Sequence, residues 1–187
     1  MSCIDGAIMD MINSCENTPI GELDEIMYVF NADELTAVKS LTLKSLVSDL
    51  TLPVGKKGYK IVGFKKDHDA GHELVASDTM PNTFDQNVDF AVWKKDAATI
   101  SALTNLDNVV IVVENKDKGV AGESAFNIFG LDTGLFQSKN SRKANENSGI
   151  TMISMSAKGQ RVPFYNLFDT DYATTKALLE ALLIAQV

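Results

Sequence analysis

The chain has 187 residues, 45% hydrophobic and 22% charged, the balance of an ordinary globular protein and enough for one domain with a real core. Its net charge of -8 argues against a protein that grips nucleic acid, because affinity for phosphates comes from clustered Lys and Arg. Here the basic residues gather no further than pairs such as Lys56-Lys57, Lys65-Lys66 and Lys94-Lys95. Cys3 and Cys15 are too few for a secreted disulfide framework, and no apolar run approaches the roughly 20 residues of a membrane span.

Residues 1–21 read as an arm. They are weakly patterned, acidic where a signal peptide would be positive, and closed by Pro19-Ile20-Gly21. Residues 22–187 are expected to form a single β-rich domain. Residues 23–31 (LDEIMYVFN) suit a pleated surface, Asn31-Ala32-Asp33 breaks it, and residues 33–38 suit a single helical turn. A strand resumes over 40–48 with Leu41 and Leu43 on one face and a slip of phase near Ser45. Beyond Pro53 and Gly55, a strand is expected over 58–66, a polar turn over 67–71 and a return strand over 72–77.

The clearest alternation lies in residues 84–92. Phe84, Gln86, Val88, Phe90 and Val92 share one side, while Asp85, Asn87 and Asp89 share the other, the period of a half-buried strand. Residues 95–106 change to helical spacing through Ala97, Ile100 and Leu103, with Asp96 in the first turn. Val109, Val110, Ile111, Val112 and Val113 are apolar on both faces, so both must be covered, by the preceding helix or by a neighbouring subunit. Gly119 to Gly122 reads as a hairpin connection. Strands follow over 125–131 and 149–158, separated by a polar loop over 137–148. A helix over 171–186 closes the chain, with Leu178, Leu179, Leu182 and Leu183 as its stripe and an N-cap from Asp169 to Asp171. Seven to nine strands with two singly inserted helices predict a mainly β (α+β) fold, an antiparallel sandwich or barrel.

A search for chemistry finds little. His68 and His72 have H-x-x-x-H spacing, which on a helix would bring two imidazoles to one metal, but Gly71 and the flanking strands favour a hairpin turn. Cys15 has no neighbouring base and reads as an inert thiol. The lone Trp93 reads as a residue packed at a strand end. No nucleophile elbow, phosphate loop or dinucleotide fingerprint is present. The expectation is a non-enzymatic protein with no metal or cofactor.

From Phe84 onward the order of features is an alternating strand (FDQNVDFAVW), a short helix (ATISALTNL), a very apolar strand with an acidic end (NVVIVVENKD), and a strand ending in FGLDTGL. A polar loop (SRKANENSG) and another strand follow, and the opening GELDEIMYVFNADEL carries an early strand with an N-A-D turn. This order resembles the major tail, or tail tube, proteins of phages that infect Bacteroidetes, over about two thirds of the chain as a pattern of elements. Two features depart from that family: the additional C-terminal helix and an arm poor in glycine.

The resemblance implies a virion structural subunit, made in the host bacterial cytoplasm, that forms a homo-oligomeric ring, in that family a hexamer. Its partners would be further copies and other tail or neck proteins, with DNA only as passing cargo and no membrane span. Tube, terminator and neck ring remain open. In such a ring Asp85, Asn87 and Asp89 would face the lumen, where acidic side chains repel DNA phosphates. Val109, Val110, Ile111, Val112 and Val113 would lie between subunits. The arm and the loops over 66–73 and 137–148 would reach neighbours. The alternative is a small acidic, non-catalytic binding or accessory domain acting as monomer or dimer.

Overall fold

The computed structural model describes residues 23–63, 67–145 and 149–186; the expected arm, residues 1–21, lies outside them. The protein is mainly β, as its sequence predicts. One sheet contains β1 (Leu23–Asn31), β2 (Thr36–Lys39), β3 (Leu46–Thr51), β4 (Tyr59–Val62), β7 (Val109–Asn115), β8 (Phe126–Phe129) and β11 (Tyr165–Leu167), in the order β2-β3-β11-β8-β7-β1-β4. All its pairs are antiparallel except β11 with β3. The second sheet is wholly antiparallel, in the order β5-β6-β10-β9. It comprises β5 (His68–Val75), β6 (Thr83–Val92), β9 (Phe136–Arg142) and β10 (Thr151–Gln160). Two helices are inserted, α1 (Ala97–Thr104) and α2 (Tyr172–Ala181).

The layers follow from β7. Because side chains alternate across a strand, Val109, Ile111 and Val113 point one way and Val110 and Val112 the other. The first set packs with Met27, Val29 and Phe129 against Val88, Phe90, Ile153 and Met155 of the four-stranded sheet. The second set joins Tyr28, Phe30, Phe126 and Ile128 in a core closed by Leu179 and Leu182 at the C-terminal helix. Three layers result: α2, the seven-stranded sheet, and the four-stranded sheet.

Helix α2 is well specified. The Asp171 carboxylate accepts a hydrogen bond from Thr174 N at 2.7 Å, the expected N-cap, and Leu179 and Leu182 of the expected stripe are buried. Helix α1 contrasts with it, since none of its eight residues is buried and Ile100 is 50% exposed.

The sheets are also joined by one polar side chain. Gln86, at 1% exposure, accepts from Gly130 N at 2.7 Å and donates to Val162 O and Pro163 O. Gly130 opens the FGLDTGL turn at φ +79, and a Cβ there would lie 2.9 Å from Val109 O, so only glycine serves. Strand β10 carries register shifts on both sides, against β9 at Ser154/Met155 and against β6 at Ala157/Gln160.

Several expectations are corrected. The second face of the apolar strand is covered by α2, not by α1 or a neighbouring subunit. Val109, Val110, Ile111, Val112 and Val113 are each at most 7% exposed within one chain, so they offer no surface for a subunit contact. Residues 36–39 form strand β2 rather than a helical turn. Residues 40–45 are a loop with Leu41 fully solvated, and the strand expected there begins only at Leu46. The polar turn expected at 67–71 is mostly the start of β5, and residues 137–142, the first half of the loop expected over 137–148, belong to β9.

Replacing Ile111 by Ala removes apolar contacts at the centre of the sandwich. Urea unfolding followed by circular dichroism should show a loss of about 2–5 kcal/mol, whereas Val38→Ala, on an exposed edge, should change stability by less than about 0.5 kcal/mol.

Candidate assembly surface

The four-stranded sheet has one face on the core and one in solvent, and the solvent face is built by register. Asp69, Asp89, Ser154 and Lys139 lie directly across from one another in a single row over all four strands. The next row is Gly71, Asn87, Ser156 and Phe136, and beyond it Glu73 sits opposite Asp85. Asp85, Asn87 and Asp89, singled out by their alternation, therefore share this outer face. Two like-charged pairs, Asp69–Asp89 and Glu73–Asp85, stand side by side, an arrangement that destabilises an isolated sheet. Asp85 accepts from Gly159 N at 3.0 Å, which uses one of its oxygens at the β10 bulge.

Among the described residues, each edge strand of this sheet has one sheet neighbour: β5 pairs with β6, and β9 with β10. Both are long, eight and seven residues, and mostly exposed. A free edge presents unpaired N–H and C=O groups to any other strand. The β5 edge carries Asp69 and Glu73, the β9 edge Lys139 and Arg142, and the shared row begins in a carboxylate and ends in an ammonium group.

The densest group of ionisable side chains lies elsewhere, at the end of β7. Glu114 is fully buried and receives hydrogen bonds from Lys118 Nζ at 2.6 Å, Lys176 Nζ at 3.1 Å and the Tyr172 hydroxyl. Burial pushes the Glu114 carboxyl up, but these three donors together outweigh it and hold the group below its ordinary range. For both lysines partial burial acts downward, and the bonds to Glu114 and Tyr172 leave a net upward shift. Tyr172 stacks on Phe126, with ring centroids 5.6 Å apart. Every oxygen of Glu114 is engaged in tying α2 to the sheet. Its role is structural.

The histidines do not form a metal site. His68 and His72 lie four residues apart on strand β5, a separation of about 13 Å along an extended chain. His72 packs against Phe84 and Phe164. His68 is buried against Gly63, and both its ring nitrogens lack hydrogen-bond partners. Among the described residues no cluster of three potential ligands is found, and no helix is long and apolar enough to cross a membrane. Trp93 is half exposed just past the end of β6, and Cys15 lies outside the described residues.

No protein-family model matches the chain, and no curated protein or solved structure matches it either. Sequence reasoning found the β6 members of the outer face through their period of two. It placed a return strand over 72–77, which covers the second half of β5, but read 67–71 as a turn and 137–148 as a loop, because these stretches are mostly polar and carry no apolar period.

The Glu114 cluster has a signed pH dependence. A carboxylate held below its ordinary pKa contributes stability that is present above about pH 4.3 and lost as the pH falls through the folded-state value. Glu114→Gln should cost about 1–3 kcal/mol near neutral pH. That deficit should shrink as urea melts are taken below about pH 4.

Proposed function

We propose that the protein is a ring-forming structural subunit of the phage tail-tube type, in which four-stranded sheets of successive copies join edge to edge. The observation that carries this is the pair of open edges, β5 and β9, which are opposite in charge and in direction. In an antiparallel sheet of four strands the two edge strands run in opposite directions. Head-to-tail repetition around a rotation axis therefore sets β9 of one copy antiparallel to β5 of the next, and the alternation continues without a break. Closure of the ring removes both edges.

The same geometry sets inside and outside. The seven-stranded sheet covers one face of the four-stranded sheet and is the wider layer, so it takes the outer circumference. The free face, with Asp69, Asp85, Asn87 and Asp89, turns to the axis. Six copies, the number implied by the family resemblance, would make a barrel of roughly 24 strands, about 48 Å across between opposite backbones at ~4.8 Å per strand and a tilt of ~40°. A bore lined with carboxylates repels phosphates and lets DNA slide without sticking. Repulsion between Asp69 and Asp89 then has a use that offsets its cost to the sheet.

The test is assembly across a concentration series, by light scattering and negative-stain electron microscopy. Annular particles are expected. Lys139→Glu should weaken them, Asp69→Lys should do the same, and the double exchange should restore them. A chain whose assembly ignores both single substitutions, or which never forms rings with or without tail-initiating partners, sinks the proposal and leaves an acidic binding domain.

A further inference from the structure

Two exposed apolar features lie at opposite edges of the seven-stranded sheet. At the β4 edge a groove of about 860 Å³ opens between β4, the C-terminal end of β6 and α1. Its walls include Val29, Ile61, Phe90, Leu103 and Leu106, with Trp93 half-exposed on the rim. At the other edge the β2–β3 hairpin ends in residues 40–45 (SLTLKS), with Leu41 fully solvated and Leu43 59% exposed. This tip is a closed turn. Ser40 N donates to Leu46 O at 2.9 Å, Leu46 N donates to Leu43 O at 3.0 Å, and Ser40 Oγ accepts from Thr42 N and Leu43 N. Val38, on β2 just before it, is half-exposed as well. A cluster of apolar side chains held outward in this way marks a contact surface.

We infer that the 40–45 tip of one copy docks in the groove of a second copy. Charge selects this occupant. Among the described residues, the two lysines lining the groove already have carboxylate partners, Lys60 with Glu180 at 2.8 Å and Lys94 with Asp96 at 3.9 Å. Asp67 and Asp107, which also line it, form no ion pair among those residues, and Asp67 Oδ2 has no hydrogen-bond partner. The uncompensated charge on these walls is therefore negative. The occupant needs apolar bulk and a positive charge. Lys44 is the tip's only charged side chain, and it too forms no ion pair among the described residues. The other exposed apolar turn, residues 76–82 with Met80, carries Asp78 instead and would meet repulsion.

Tip and groove are different surfaces, so the contact is head to tail and repeats from copy to copy. Its direction rests on the ring reading. Near its start β6 meets Gly130, past the end of β8, through Gln86, and at its end it reaches the groove beside β4, so it crosses the strands of the larger sheet. Copies joined through β5 and β9 succeed one another at right angles to β6. Groove and tip then lie towards opposite ends of the ring, and their contact stacks one ring on the next.

The test uses the full chain with Cys3 and Cys15 replaced by serine. One preparation carries Thr42→Cys in the tip, another Ala102→Cys on the groove wall, and the two are mixed and mildly oxidised. A disulfide from residue 42 to residue 102 between chains is expected, rising with concentration, whereas Val120→Cys, in an exposed turn, should give none. The Leu41→Ser, Leu43→Ser chain should keep its circular dichroism and melting temperature but lose stacked particles in electron micrographs, leaving single rings. Lys44→Glu should reduce both stacking and the cross-link. Lys139→Glu, at the ring edge, should weaken rings yet leave the cross-link, so failure of the ring and failure of the stack are separately visible. Equal yields at residues 102 and 120, or no bond at either, overturn the contact. A bond within single chains carrying both cysteines, unchanged on dilution, overturns a second copy as the occupant.

Discussion

Strand β7 is the one element that every layer touches, and the constraint it imposes is two-sided burial. Five consecutive aliphatic side chains cannot leave either face wet, so a sheet must lie below the strand and something else above it. The four-stranded sheet supplies the first cover and α2 the second. The polar end of the same strand does further work, because Glu114 can be buried only with its lysine and tyrosine donors in place, and those donors sit on α2 and on the turn after β7. The apolar half of β7 gives attraction without direction. The acidic end gives the helix one orientation.

The legible parts of the fold were those with a single wet face. Residues 84–92 alternate because Phe84, Gln86, Val88 and Phe90 meet the core while Asp85, Asn87 and Asp89 meet water. The double burial of β7 was equally readable, but which partner covers it was not. Both helices offer apolar residues at helical spacing, and only the Asp171 cap and longer leucine stripe of α2 separate it from α1. The first half of β5 and most of β9 escaped because such polar edge strands have a loop's composition: the core side of HDAGHELV is filled by His68, Ala70 and His72, and FQSKNSR contains no apolar period. Leu41 and Leu43 misled in the opposite direction, as two leucines two apart form a strand face only when a neighbouring strand is there to pair with them.

The outer face of the four-stranded sheet joins two opposing electrostatic demands. Carboxylates opposite one another weaken pairing between β5 and β6, while the acid-to-base gradient along the row from Asp69 to Lys139 would favour an ordered succession of copies in the proposed ring. A monomer bears the first effect alone. An assembly gains from the second, and its stability would accordingly respond to salt in a way that the buried sandwich does not.

Strand β10 is irregular on both flanks, slipping register against β9 near Ser154 and against β6 beyond Ala157. Bulges bend and twist the strand that carries them, and β10 is central to the sheet. The angle through which the sheet turns from its β5 edge to its β9 edge is thereby influenced inside the subunit, by an extra β10 residue against β6 and an extra β9 residue, Ser138, against β10. For any closed ring that angle fixes how many copies complete a full turn. The number of subunits would then be a property of curvature rather than of contact chemistry. In the proposed ring, a change at Gly159 would alter the circumference while leaving every edge residue as it was.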